Sequence, residues 1–532
     1  MSAAPKVTGT SASRGKPRVN PWVIAATVSL AAFMEVLDTS IANVALPYMA
    51  GGLGSSVDDA SWVLTSYLVA NAIVLPISGW LSVLFGRKRF YMAAVVVFTV
   101  SSFLCGIAPS LGMLIAFRVL QGGGGLQPVS QAILKDTFAP EQLGAFALYG
   151  MVVVLAPAIG PTLGGWITDN YQWRWIFYMN IPVGILSLLL VSRLVEDPPY
   201  LTEQLKQARR SFSVDYVGIG LLALCLGALQ VVLDKGQEDD WFVSHFILIL
   251  AVVFVVGLVC FVIWELTQRR PVLDLRLFKN RSFAAAAAMI FVYGVQVYGM
   301  TVFIPQFMQA FMGYDAELAG MTLAPGAIVM IVLMPLVGKL VTRVQARWLA
   351  VAGSLASAYA IHFVATNIDL QIDFRTAAMY RVLQAIGLAQ LFIPINTASY
   401  VDVPEEKGGE VSGFINLLRN VGGSVGISLV ETMIARRAQF HQDELIAHVT
   451  PAQQPFRTVT SDLRAQLFHR GLSQPQAMRQ TYLRTYDAVI AQANVQSYMD
   501  VAWLIAMVCL VTVPVAMMLK KNDPMAARAS VE

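Results

Sequence analysis

Leu111-Gly-Met-Leu-Ile-Ala-Phe-Arg118-Val-Leu-Gln121-Gly-Gly-Gly-Gly125-Leu-Gln-Pro-Val-Ser-Gln-Ala-Ile-Leu134 is a helix-length apolar segment with one charge near its middle. An arginine at the centre of a membrane helix costs at least ~2.5–3.5 kcal/mol, and such residues face a partner or a watery cavity. Two carboxylates, Glu35 and Asp38, lie in the first apolar run of the chain. If that run leaves the cytoplasm at Trp22 and Leu111 lies at the outer surface, a rise of ~1.5 Å per residue puts Asp38 about 12 Å and Arg118 about 10 Å below the outer face. The two share a level. Glu35 stands one turn deeper on the same helix face. The blander alternative is that Arg118 reaches out to the interface and both acids merely hydrogen-bond between helices.

The rest of the chain fits a membrane setting. Hydrophobic residues make up 56% and charged ones 13%, with a mean hydropathy of +0.62, which excludes a soluble fold. Apolar runs predict fourteen spans, at about residues 22–46, 61–82, 90–108, 111–134, 145–168, 176–195, 215–233, 243–264, 283–304, 318–340, 348–366, 377–401, 412–434 and 497–519. The first run lacks a cleavage pattern and reads as a retained span. Basic clusters such as Arg87-Lys88-Arg89, Arg276-Lys279-Arg281 and Lys339-Arg343-Arg347 fall in alternate loops. That asymmetry predicts both termini in the cytoplasm. The same loops account for the formal charge of +4, and nothing calls for a nucleic-acid partner. All four cysteines fall inside spans, where no loop disulfide or Cys-x-x-Cys metal site is available.

A repeat emerges from short motifs. Val44-Ala-Leu-Pro47 returns as Val302-Phe-Ile-Pro305, Pro76-x-x-Gly79-x-Leu81 as Pro335-x-x-Gly338-x-Leu340, and Arg118-Val-Leu-Gln121 as Arg381-Val-Leu-Gln384. Three matches in one order at nearly one offset predict a duplication. Six spans fill 22–195 and six fill 283–519, leaving two inserted helices at 215–264. Connectors are predicted at 196–214 and 265–282, and cytoplasmic tails at 1–21 and 520–532. Parallel repeats with a central site are one plan of secondary transporters. In span five, Ala156, Gly160 and Gly164 present a small-residue face interrupted by Pro157 and Pro161, which suits close helix packing or a hinge. The run Gly122 to Gly125 lacks the Gly-Lys-Ser/Thr of a phosphate loop. The polar tract 436–496 is expected outside, with amphipathic helical pieces around 439–448, 462–470 and 478–492.

These motifs resemble the major facilitator superfamily, and within it the fourteen-span drug:proton antiporters of the EmrB/QacA type. The resemblance covers nearly the whole chain. It rests on Leu37-Asp38-Thr39 through Pro47, on the Arg118 segment, and on the Gly-Pro-rich fifth span continuing into Trp173-Arg-Trp-Ile-Phe-Tyr-Met-Asn-Ile-Pro182. The loop after span two is similar to the superfamily signature at Gly79, Leu81, Gly86, Arg87 and Lys88, but Val83 stands where that signature has aspartate. The resemblance implies an all-α polytopic membrane protein of two six-helix pseudo-repeats plus two inserted helices. It also implies a Gram-negative inner-membrane exporter working with a periplasmic adaptor and an outer-membrane channel, although QacA-like relatives act without them.

The function expected is proton-coupled efflux of amphipathic or toxic small molecules, driven by the proton gradient without a cofactor or metal. Asp38, Arg118 and Glu35 are expected to couple protons, because a carrier acid must sit where burial and a nearby cation compete over its charge. Asn43, Gln121, Tyr293, Gln296, Tyr298, Gln384 and Asn396 are the polar groups expected to meet cargo, and interhelical packing is their plainer role. Gly79, Gly86, Arg87, Lys88, Pro157, Gly160, Pro161 and Gly164 are expected to gate or pack the helices. Arg381 is expected to snorkel outward, and Arg419 and Glu431 are separated by about 18 Å of helix, too far to pair. A permease or exporter for one metabolite, fatty acid or siderophore is the alternative. An intramembrane enzyme would need a nucleophile or metal constellation, and the five histidines form none inside a span.

Overall fold

The computed structural model describes residues 20–138, 145–197, 215–268, 271–404, 407–450 and 453–520. Most of the two predicted tails and of the 196–214 connector lies outside those ranges. The elements are helices: α1 (Pro21–Val44), α2 (Leu46–Leu53), α3 (Val57–Phe85), α4 (Arg87–Gly106), α5 (Leu111–Gly122), α6 (Leu126–Thr137), α7 (Ala145–Asn170), α8 (Trp175–Tyr178), α9 (Asn180–Leu194), α10 (Tyr216–Lys235), α11 (His245–Thr267), α12 (Arg281–Met312), α13 (Ala316–Met321), α14 (Ala324–Leu340), α15 (Ala346–Asn367), α16 (Phe374–Ser399), α17 (Gly408–His448), α18 (Gln454–His469) and α19 (Gln474–Met517). Side-chain caps start many of them. Asn20, Ser56, Ser110, Asn280 and Asp373 each accept from a backbone N–H of the first turn, satisfying a donor the helix cannot.

Among the described residues, eleven helices are long and apolar enough to cross a membrane, or twelve when the halves of α7, bent by 43°, count as one span. Each of the fourteen expected spans coincides with helix. Two fail the same test of length and apolarity for visible reasons. The fourth is split into α5 and α6, twelve residues each, because Gly125 adopts a left-handed φ of 59°, a conformation that favours glycine. The thirteenth lies in α17, which runs 41 residues and carries Arg419, Glu431, Arg436 and Arg437.

The pattern of packing repeats across the halves. In the first, α1 packs on α7, α3 on α5 and α4 on α9; in the second, α12 packs on α17, α14 on α16 and α15 on α19. The halves then meet through α3 against α17 and through α7 against α13 and α14, related positions in the two repeats. Glycines permit the close crossings: a side chain at Gly79 would strike the Gly409 carbonyl, and one at Gly320 would strike Pro161. α10 lies on α3 and α17, and α11 covers α10.

The 436–496 tract differs from its expectation in one respect. Its first and last amphipathic pieces are the uninterrupted ends of α17 and α19, with α18 between them. Asp500 ties the two long helices together, accepting from Arg437 Nε at 2.5 Å and lying 2.8 Å from His441 Nε2. Charge in a helix does not end it. Once the chain leaves the apolar layer, the i to i+4 ladder continues as well in water as in lipid.

Candidate functional site

Arg118 is fully buried, and α5 delivers it to the carboxylate of Asp38 on α1: Nη1 donates to Oδ2. The same Nη1 donates to Gln121 Oε1 at 2.9 Å, and Nε donates to the Val63 carbonyl at 3.2 Å. The guanidinium lies 4.3 Å over the ring of Tyr67 and 5.7 Å from that of Phe177. The second carboxylate oxygen, Oδ1, accepts from Gln121 Nε2 at 3.1 Å and from Asn180 Nδ2 at 2.8 Å. Burying both charges costs several kcal/mol per ion, on the order given by solvation arguments, and only a pair with its remaining hydrogen-bonding groups satisfied recovers that. Gln121 of α5, Asn180 of α9 and the Val63 carbonyl of α3 meet the need. Arg118 Nη2 alone has no hydrogen-bond partner among the described residues. Asn180 was not singled out from the sequence, although it stands in the quoted Met-Asn-Ile-Pro run at the start of α9.

Glu35 does not join this pair. Its Oε1 accepts from Asn71 Nδ2 of α3 at 2.7 Å, while Oε2 is buried without a partner among the described residues. It lines a cavity of about 90 Å³ between the halves. Thr39, Tyr67, Asn71 and Gln127 line the same cavity from the first half, and Tyr298, Asn420 and Ser424 from the second. Arg419, 1% exposed, stands behind this wall: Nη2 donates to Gln127 Oε1, and Nε and Nη1 have no hydrogen-bond partner among the described residues. Asn71, Gln127 and Asn420 carry no sequence signal of their own, since single amides in apolar helices look alike until packing groups them.

Of the residues expected to meet cargo, Tyr298 lines this cavity. Gln121 is engaged by the Asp38–Arg118 pair. Tyr293 is buried with its ring 5.6 Å from Phe392. Gln296 is near Cys509, whose Sγ lies 3.4 Å from Oε1. Asn396 donates to the Phe392 carbonyl of its own helix at 2.8 Å, and Asn43 is exposed near the end of α1. Gln384 accepts from Arg381 Nη1 at 2.6 Å. Arg381 therefore does not snorkel: it is 4% exposed, and its Nη2 donates to Thr301 Oγ1 at 3.0 Å. Two fixed acceptors hold it inside without an acid, repeating the Arg118–Gln121 bond three residues along its own helix.

Of the gating set, Gly79, Gly86, Arg87 and Lys88 gather where the basic loops lie. Arg87 is 3% exposed, with Nη1 donating to the Ala132 carbonyl at 2.6 Å and pairing with Asp136. Val83 offers Arg87 no carboxylate, and the one it pairs with stands on α6. Lys88 Nζ donates to the Ser192 carbonyl at 2.7 Å, and Gly86 takes a φ of 90° between α3 and α4. At the same end α6 and α17 are joined, with Asn416 Nδ2 donating to Gln131 Oε1 at 2.8 Å and Ser412 Oγ donating to the Pro128 carbonyl at 2.9 Å. Farther along, the small-residue face of α7 packs on α1. A side chain at Gly160 would strike Ser40, one at Gly164 would crowd Ile41, and Ser40 Oγ donates to the Pro157 carbonyl at 3.4 Å.

Two halves with matching helix pairings, one charge pair buried in the first and a cavity on their seam are the plan of a transporter that works by rocking. Residues 28–427 match the family model described as Major Facilitator Superfamily. The chain belongs to that superfamily. "Multidrug export protein EmrB" of Escherichia coli strain K12 is 36% identical over 91% of this chain and 92% of its own. The protein of the same name from Haemophilus influenzae is 37% identical over 94% and 96%. "Fatty acid resistance protein FarB" of Neisseria gonorrhoeae is 37% identical over 86% and 88%. These relatives put this superfamily member in the EmrB/QacA-type multidrug branch. A solved double-tryptophan mutant of XylE has the same fold, with a TM-score of 0.60 at 13% identity over 96% of this chain and 99% of that one. Membership of the superfamily and its multidrug-export relatives make this a multi-pass membrane transporter and not an enzyme.

Proposed function

We propose that this transporter exports amphipathic or toxic small molecules by alternating access, coupling their outward passage to the inward movement of protons. The observation that carries the reading is the fully buried Asp38–Arg118 pair one turn from a cavity on the seam between the halves. A carboxylate so placed has two states of different cost: ionised and paired, or protonated with the arginine released to other acceptors. A conformational change that moves α1 relative to α5 shifts the balance between them. Glu35, with one oxygen free at the cavity, either relays the proton or meets the cargo. In this reading 22–195 and 283–519 are the rocking bundles, and the Gly79–Gly409 crossing with the Gln131–Asn416 bonds closes the cytoplasmic end. The inner membrane is the location, both termini are cytoplasmic, and the α17–α18–α19 hairpin projects into the periplasm to meet an adaptor serving an outer-membrane channel. The names of the curated relatives, multidrug export and fatty acid resistance, support the cargo class. Inverted vesicles carrying the protein test the reading. With an imposed proton gradient they accumulate a fluorescent amphiphile, and collapsing the gradient stops it; accumulation that ignores the gradient refutes proton coupling.

A further inference from the structure

α10, the first of the two inserted helices, carries one amide and one acid in an apolar sequence, Gln230 and Asp234, four residues apart and so on one face. A helix that only filled space beside the bundles would have no use for either. Its position explains them. α3 and α17 cross closely at Gly79 and Gly409, and toward the opposite end α10 lies in the angle between them. Gly227 faces Val69 and Ile73, and Lys235 Nζ fastens the end of the helix to the Asp58 carbonyl at 3.0 Å and to Ser61. α11 covers part of the outer side of α10, and beside that contact Leu224 is 53% exposed.

Gln230 is 4% exposed and lines the cavity. Its Oε1 accepts from Ser424 Oγ of α17 at 3.0 Å, and its Nε2 donates to Asp234 Oδ1 at 2.9 Å. Ser424 lines the same cavity. Two acceptors of that neighbourhood remain unmet among the described residues, Glu35 Oε2 on the far wall and Asp234 Oδ2 behind Gln230. Lys235, beside Asp234 in sequence, spends its ammonium on Asp58, Ser61 and Glu238 instead. Buried acceptors without donors are costly, and a ligand bearing N–H groups supplies what this wall lacks.

We propose that α10 is a wall of the cargo site and that Gln230 is a specificity-determining residue, exchanging its bond with Ser424 for one from a cargo head group that carries N–H donors. The inference rests on the export reading for what the cavity holds. It gives the first inserted helix a part in selecting cargo, beside the residues that both repeats bring to the cavity.

The test uses three dansyl amphiphiles of one tail length, headed by an ammonium, a primary amide or a carboxylate, with full-length protein in inverted vesicles. Relative to the carboxylate compound, Gln230→Leu raises KM for the ammonium and amide compounds roughly fivefold, the size of one neutral hydrogen bond. Ser424→Ala, which frees Gln230 Oε1, lowers KM for the two donor-headed compounds or leaves it alone. For direct occupancy, Gln230→Cys and Leu224→Cys are placed in a Cys260→Ser background and treated with a small thiosulfonate. The ammonium compound slows modification at 230 and not at 224. An unchanged ranking of the three compounds in Gln230→Leu, or equal protection at both positions, overturns the proposal. If the wild type accumulates none of the three compounds, the export reading falls separately, and protection at 230 by bound compound still decides this one.

Discussion

Replacing Asp38 by asparagine separates the charge of the site from its shape. The amide keeps one oxygen, which can still accept from Gln121 Nε2 and Asn180 Nδ2, now 3.1 and 2.8 Å away. Its nitrogen takes the place of Oδ2 and turns a donor toward Arg118, itself a donor only. The guanidinium is 0% exposed and its remaining acceptors are neutral, Gln121 Oε1 and the Val63 carbonyl. Breaking one partner of a buried pair costs about 3–5 kcal/mol, because the other charge stays behind. Removing both costs far less, so Asp38→Asn with Arg118→Gln should recover most of the loss. Thermal unfolding in detergent is expected to rank wild type above the double variant and the double above Asp38→Asn. In vesicles both variants lose gradient-driven uptake while cargo counterflow persists, since cavity and helices survive without the carboxyl group. The reasoning is refuted if Asp38→Asn accumulates cargo at near wild-type rate, or if it is no less stable than the double variant.

Arg118→Lys is expected to harm uptake less than Arg118→Ala, since it keeps the cation and loses only the planar fork; equal loss in the vesicle assay would say that charge does not matter there. Glu35→Gln should weaken transport of cationic compounds more than neutral ones if the free oxygen meets cargo, and of all compounds alike if it relays protons, which a KM comparison across the panel separates. Gly79→Val puts a side chain into the Gly409 carbonyl and should pry α3 from α17, so that cysteines placed at Gln131 or Asn416 become reactive and transport falls; unreactive thiols in a transporting protein would count against a closed end there. Deleting about residues 440–490 is expected to abolish resistance in cells and leave vesicle transport intact, whereas equal loss in both settings would make the hairpin part of the transporter's own fold.

Membrane residence, helix number within the ambiguity of two segments, and the duplication were all legible in the one-dimensional pattern. Apolar runs of span length have no stable alternative to helix in lipid, and motifs copied with a gene keep their order. The Asp38–Arg118 contact was readable too, because helical rise fixes depth once the ends are set and few charges compete at a given level. Depth did not suffice for Arg381, whose neutral partners Gln384 and Thr301 carry no charge signal and hold it inside. Nor did it reveal Asn180, Gln127 or Gln230. An amide in an apolar helix is the same letter whether it caps a carboxylate, holds a buried arginine or walls a cavity. Which of these it does depends on rotation about the helix axis and on the helix it meets, and those are set by close crossings at residues such as Gly79, Gly160 and Gly409, where the absence of a side chain lets two backbones touch.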